Sequence, residues 1–394
     1  MIIHVSRKFQ ISFTILFTLW WTVCSGEITR QTIRVAPGIE HHSLTITETP
    51  LTIDVLTIQW PQPDVNFEAA IATDSINGSQ VEYTTSLARE KDAPAHRVVA
   101  AVNGDFFHIG ESGLPVNIHV QDGEIITNPT IREAFAITQD KKVFIGNLRF
   151  RGTLATSDSQ AHEIAGVNIP RGEDQLVLYN RYNGKTTETN MYGTELLVKP
   201  LDPWQITMPV RGRIIDRKIG QGNMALGEAN VVLSGHHRAG IFLNNQVAIG
   251  DTVSMVLRLL PEIGQITDAI GGGPLLIKNG KVVAPDDVRH PRAGIGINRD
   301  TSAVYLFTVD GRSEASAGMT LYELGKFLRD KFNLWQALNL DGGGSTTMVI
   351  WDTIVNTPSD PTGERPVGNA LLLISSAPDS VLSKYPRRYL GTGQ

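Results

Sequence analysis

Four short apolar runs end in glycine, most of them beside a carboxylate. They are Val102-Asn103-Gly104-Asp105-Phe106-Phe107, Ala269-Ile270-Gly271-Gly272-Gly273-Pro274, Leu306-Phe307-Thr308-Val309-Asp310-Gly311-Arg312 and Leu338-Asn339-Leu340-Asp341-Gly342-Gly343-Gly344-Ser345-Thr346. Glycine at a strand end permits positive φ and lets a ligand approach bare backbone. Successive N–H groups in such a loop can wrap an anion. A carboxylate held there can act as acid, base or nucleophile. A plain turn accounts equally well for a single Asp-Gly or Asn-Gly pair. Three glycines in a row after Asp341 demand more, because each is costly to order from the unfolded chain.

Arginines stand near these turns: Arg292 before Ala293-Gly294, Arg312 after Asp310-Gly311, and Arg365 in Gly363-Glu364-Arg365-Pro366. A guanidinium binds phosphate or carboxylate in a bidentate manner. Glycine loops, carboxylates and arginines together suit an anionic, phosphate-bearing ligand. Other chemistries fit less well. His236 and His237 are adjacent, so on a strand they would face opposite ways, and no His-Glu-x-x-His pattern exists. Ser345 lacks the Gly-x-Ser-x-Gly elbow, and there is no Gly-Lys-Ser/Thr phosphate loop and no EF-hand. The single cysteine, Cys24, excludes a disulfide framework and a cysteine-ligated zinc site.

The elements that must position these residues are mostly strands. Alternation marks 44–47 and 51–56, a continuous apolar run marks Val98–Val102, and further short strands follow through Val231–Leu233 and Val253–Leu257. One helix is well signalled. Thr320 and Glu323 form a capping box, and Leu321, Leu324, Phe327 and Leu328 give an apolar face. The expectation is an α+β, sheet-rich single large domain with few helices and its active site at Gly-rich strand ends. The boundaries read as 27–94 for an N-terminal β segment docked on the main domain, 95–376 for the main domain and 377–394 for a tail. Asn77-Gly78-Ser79 is a glycosylation sequon or a plain Asn-Gly turn.

The chain has 394 residues, 35 Lys plus Arg and 40 Asp plus Glu, a formal charge of −5 that argues against a nucleic-acid binder. Hydrophobic residues are 41%, enough for a proper core. Residues 1–26 read as a signal peptide: Arg7 and Lys8, an apolar run from Phe9 to Val23, then Cys24-Ser25-Gly26. That run is short for a membrane span. The expected product is secreted or periplasmic, with no stable membrane insertion after signal cleavage.

In combination and order, the motifs at 103–107, 271–274, 292–296, 309–312, 316–321 and 339–346, with Arg365 and Asn369, resemble the phosphodiester glycosidase family. The resemblance spans roughly residues 95–375. It departs at Asp105, where many relatives carry glycine, and at Ala293, where threonine is common. It implies hydrolysis of a sugar-1-phosphodiester at the anomeric carbon, releasing free sugar, such as N-acetylglucosamine, and a phosphomonoester. Asp341 would be the principal carboxylate and Asp310 the second, with Arg292 and Arg312 clamping the phosphate. The amides of Gly272, Gly273, Gly342, Gly343 and Gly344 would bind its oxygens. Asn103, Ser345 and Asn369 would bind sugar hydroxyls or orient the carboxylates, and Asp105, Thr346 and Arg365 complete the substrate-binding set. No cofactor is required on this reading; a divalent metal, calcium or magnesium, stays open, as do metal ligands and oligomeric state. The partner is a sugar-phosphate or glycan. Three rivals remain: a non-catalytic cell-envelope glycan-binding protein, a metal-dependent phosphodiesterase cleaving at phosphorus, and an actin-like or sugar-kinase ATPase, whose phosphate loop resembles Asp341–Thr346.

Overall fold

A computed structural model describes residues 28–385, except Ser79 and Asp287. The signal-peptide reading of 1–26, the last residue of the sequon and the end of the tail lie outside the described residues. The protein is α+β and sheet-rich, and four sheets form among the described residues.

One eight-stranded sheet runs, in spatial order, Ile28–Ala36, Ile39–Ile46, Leu51–Gln59, Ala303–Val309, Arg292–Asn298, Leu334–Asn339, Leu275–Lys278 and Lys281–Val282. Strand Leu51–Gln59 is therefore interior. It pairs with Ile39–Ile46 on one side and Ala303–Val309 on the other. A five-stranded sheet places Arg97–Asn103 between Met348–Ile350 and Asn369–Ser375, with Val65–Ile71 at its edge. A second five-stranded sheet centres on Ile266–Gly271, flanked by His119–Gln121 and Glu133–Thr138. The fourth sheet, of eight strands, lies wholly within residues 161–164, 149–155, 252–260, 209–219, 194–200, 231–235, 176–179 and 166–167.

Apolar residues from the first three sheets share one core, including Leu56, Phe67, Val102, Phe135, Ile270, Ile295, Leu306, Leu338 and Leu371. Burial on both faces explains why these strands read as continuous apolar runs. The expected helix forms over Leu321–Phe332. Thr320 Oγ1 accepts from Glu323 N–H at 3.1 Å, and Thr320 N–H donates to Glu323 Oε2 at 3.0 Å. Its buried face, Leu321, Leu324 and Leu328, packs with Leu276 and Ile277. Asn333 closes it at φ 55.

Two helices differ from the expected strands. Thr84–Lys91 is helical within a segment read as strands and turns, and buries only Thr84, Leu87 and Ala88. His237–Gln246 is also helical. His236 is its N-cap and His237 its first residue, so the pair does not lie on a strand. Nδ1 of His237 instead pairs with Asp174 Oδ1 at 2.7 Å. Both helices have a narrow apolar face and no side-chain cap, which leaves a weak periodic signal.

Candidate active site

The Gly-rich ends of three sheets converge on Asp341. Asp341 follows strand Leu334–Asn339, and its N–H donates to Gly104 O at 2.9 Å. Asn103, the last residue of its strand, clamps the same junction. Its Nδ2 donates to Asp341 O at 2.7 Å, and its Oδ1 accepts from Thr347 N–H at 3.0 Å. Asn103 thus orients the Asp341 loop through the main chain, and both ends of its amide are engaged. Asn369 serves the neighbouring turn: Oδ1 accepts from Asp105 N–H at 2.8 Å, and Nδ2 lies 3.0 Å from His119 Nδ1.

Asp341 is 8% exposed. Burial pushes its carboxyl up to about 6, and the Ser345 hydroxyl, Gly342 N–H and the guanidinium groups of Arg365 and Arg132 pull it back. Ser345 lies beside the carboxylate, yet Ser345 Oγ and Asp341 Oδ2 each lack a well-formed hydrogen bond among the described residues. The hydroxyls of Thr346 and Thr347 and Asn339 Oδ1 are likewise buried and unpartnered there. Such a concentration of unsatisfied polar atoms is unusual in a folded interior and marks a place built to meet polar groups.

Asp105 is fully buried. Its Oδ1 accepts from Phe106 N–H and its Oδ2 from Asn117 N–H, both at 2.8 Å. Burial pushes its carboxyl up to about 7; the Asn117 and Phe106 amides and Arg132 act downward, and Asp341 acts upward. Asp105 and Asp341 are therefore electrostatic neighbours. Asp310 is placed otherwise. Its Oδ1 accepts from Thr357 N–H at 3.0 Å and Asn356 Nδ2 at 3.3 Å. Asn356 also donates to Thr346 O at 3.0 Å, so Asp310 reaches the 341–346 loop through Asn356. Burial raises the Asp310 carboxyl to about 6, and Asp54 is the like charge that adds to it.

The arginines divide into two groups. Arg365 is held by Asp360, with Nε and Nη2 both 2.7 Å from Oδ2, and its guanidinium lies directly against Gly344. A Cβ on residue 344 would collide with it. Arg312 lies over Gly343, whose φ of 62 favours glycine, and reaches to 3.4 Å from His290 Nδ1. Arg292 does not share this setting. It is buried, and Nε and Nη2 donate to Met319 O at 2.9 Å and Val288 O at 2.7 Å. It braces the turn behind the Gly342–Gly344 loop, where Gly343 N–H donates to Pro291 O at 2.9 Å.

The expected phosphate cradle at Gly272 and Gly273 is not made by their amides. Gly272 N–H donates to Glu133 O at 3.0 Å and Gly273 N–H to Asn339 O at 2.7 Å. The first bond continues the pairing with Glu133–Thr138 inside one sheet, and the second ties that sheet to the end of Leu334–Asn339 in another. The carbonyls of the two glycines accept from Arg132, at 3.2 Å for Gly272 and 3.4 Å for Gly273. Arg132 also stacks on Phe106, 4.5 Å from the ring centroid. The sequence reading missed Arg132, although it immediately precedes the strand Glu133–Thr138. It also missed Asn117, Asn356 and His119. Burial holds His119 neutral, at about 3, and no pattern in the sequence singles it out. Among the described residues, no group of three or more His, Cys, Asp or Glu side chains is arranged to hold a metal ion.

With the geometry in place, three comparisons bear on identity. Residues 180–374 match the family model described as phosphodiester glycosidase. The mouse N-acetylglucosamine-1-phosphodiester alpha-N-acetylglucosaminidase is 39% identical over 74 residues, which is 19% of this chain and 14% of that protein. Its human counterpart is 44% identical over 69 residues, 18% of this chain and 13% of that protein. The matched stretches are thus a small part of those relatives. A crystal structure of a hypothetical protein from Synechocystis has the same fold, with a TM-score of 0.65 at 20% identity, covering 88% of this chain and 64% of that one. The turn with Asn103 and Asp105 lies before the family match, whereas Asp310, Asp341 and the 342–346 loop lie inside it. The phosphodiester glycosidase family match thus covers residues 180–374, 195 of the 394, and includes the Gly-rich loop after Asp341.

Proposed function

We propose that the protein hydrolyses a sugar-1-phosphodiester at the anomeric carbon, giving free sugar and a phosphomonoester. The observation that carries this reading is Asp341: a nearly buried carboxylate with an unpartnered oxygen, beside Arg365 and Arg132 and a second acid, Asp105. Water adds to C1 and the C1–O bond breaks; the electron pair of that bond leaves with the phosphate. The leaving group is a phosphomonoester, so demand on a general acid is lower than for an ordinary glycoside. Asp341 acts on C1, as base toward water in an inverting reaction or as nucleophile in a retaining one. Asp105, fully buried with both oxygens on the Phe106 and Asn117 amides, holds the turn beside Asp341 rather than touching substrate. Arg365, Arg132 and Arg312 supply the positive charge that the departing phosphate requires. Asp310 holds Thr357 and Asn356, and through Asn356 the loop itself.

The test incubates the protein with a panel of sugar-1-phosphodiesters, including N-acetylglucosamine-1-phosphate esters, and follows products by NMR. Free sugar from wild type, absent with Asp341→Asn, is expected; the anomer formed first assigns retention or inversion. Sugar-1-phosphate as product, with loss of activity in chelator, would mean metal-dependent cleavage at phosphorus. Saturable binding without turnover would mean a glycan-binding protein. We also propose export through the 1–26 leader. Amino-terminal sequencing of protein recovered from the medium or periplasm should begin near Glu27; an intact Met1 would overturn this.

A further inference from the structure

A cavity of about 490 Å³ lies apart from Asp341, between the 168–171 turn and the 183–190 segment. Its volume falls within the range of about 300–1,000 Å³ usual for small-molecule sites. A buried apolar plug of Ile71, Ile76, Ile126 and Tyr182 separates it from the catalytic turn, for Ile71 pairs with Asn369 while Ile76 lines the cavity.

Its polar wall is held from behind. Glu195 is fully buried and uses both carboxylate oxygens: Oε1 accepts from Thr187, Thr189 and Ser234 at 2.8–2.9 Å, and Oε2 from Met224 N–H at 2.8 Å. Thr187 and Thr189 are themselves cavity residues. Arg171 completes the frame, donating to Ser234 Oγ at 2.8 Å and to Asn190 Oδ1 at 2.7 Å. Its Nε is buried with no partner among the described residues. Asn77 and Asn183 use their Nδ2 groups on Glu188 and Thr186 O, so each keeps Oδ1 as an acceptor, while Asn190 keeps Nδ2 as a donor. Leu114, Ile169 and Pro170 add apolar surface to the same lining.

We propose that this cavity is a second, non-catalytic site that takes a neutral saccharide. Fixed amide donors and acceptors match ring hydroxyls, and the apolar part of the lining matches the C–H face of a pyranose. Arg171 is offset by Glu195 beneath it and Glu188 at the rim, so the cavity has no surplus positive charge for a phosphate. The site would hold a sugar unit remote from any bond being cleaved.

The test titrates the full chain with N-acetylglucosamine, chitobiose, maltose and cellobiose, using saturation-transfer NMR and calorimetry. At least one should bind with Kd of about 1 mM or tighter. Asn77→Trp, which fills the cavity, and Asn190→Ala, which removes one donor, should each weaken binding about tenfold. Asp341→Asn should leave it unchanged, and Asn77→Trp should not alter turnover of a small diester. No binding at about 20 mM, well above the expected Kd, overturns the proposal. So does binding that is lost with Asp341→Asn and kept in both cavity variants, which would place the sugar at the catalytic turn.

Discussion

Replacing Asp341 with asparagine should make the protein inactive and, at neutral pH, more stable. The magnitude follows from burial. The carboxyl stands at about 6 in the folded protein against a reference of 3.8, roughly two units, and each unit is about 1.4 kcal/mol. Because the folded value is the higher one, the folded state holds its proton while the unfolded state releases it. Stability therefore falls as pH rises from about 4 to 6, and the ionised carboxylate costs about 3 kcal/mol above that window. Asparagine keeps the shape and removes the charge. Thermal unfolding at pH 8 should show the variant higher by about 6 °C, at roughly 2 °C per kcal/mol for a chain of this size. At pH 3.5, where wild-type Asp341 is also neutral, the two should unfold together. Scanning calorimetry at both pH values, alongside the NMR turnover assay, reads both outcomes. An Asp341→Asn protein that is no more stable at pH 8 than wild type, or that still turns over diester, would refute the reasoning.

Three further outcomes are expected. Gly344→Ala should push the Arg365 guanidinium off the loop and lower kcat/KM about 100-fold, the usual loss of one charge-stabilising contact; unchanged kinetics would show that this packing is irrelevant. With Asp341 required ionised, kcat/KM should rise through about pH 6, and a profile flat from pH 5 to 8.5 would remove this role. Asn103→Ala leaves Asp341 O and Thr347 N–H without their side-chain partner, which should cost about 2–4 kcal/mol in urea unfolding; a loss under about 0.5 kcal/mol would show that the clamp does not hold the loop.

Much of the site could be read from the chain because its chemistry is local. Three glycines after Asp341, a carboxylate at the end of an apolar run and the Thr320–Glu323 capping box are patterns within a few residues. What escaped depends on partners far away. Gly272 and Gly273 have the composition of an anion cradle, but Glu133 O and Asn339 O claim their amides, and nothing local reveals that. Arg292 and Arg365 look alike in sequence. One is turned inward onto Met319 O and Val288 O, while the other is held by Asp360 against Gly344. Arg132 and Asn117 come from a part of the chain more than 200 residues before Asp341 and meet it only through sheet packing. Asp105 gained its place beside Asp341 in the same way.

The pairing of Leu51–Gln59 with Ala303–Val309, and of Val65–Ile71 with Asn369–Ser375, also sets an order of events during synthesis. The early strands leave the ribosome roughly 250 to 300 residues before their partners exist. The sheet built from residues 149–260 needs neither end of the chain and can close first. Closing the longer loops costs entropy that no contact repays until the last strand arrives, so these sheets should form late and slowly. The turn around Asp341, stitched from residues 103, 272, 341 and 369, should therefore assemble late in folding, and a nascent chain that stops before residue 365 lacks Arg365 and Asn369 and cannot complete it.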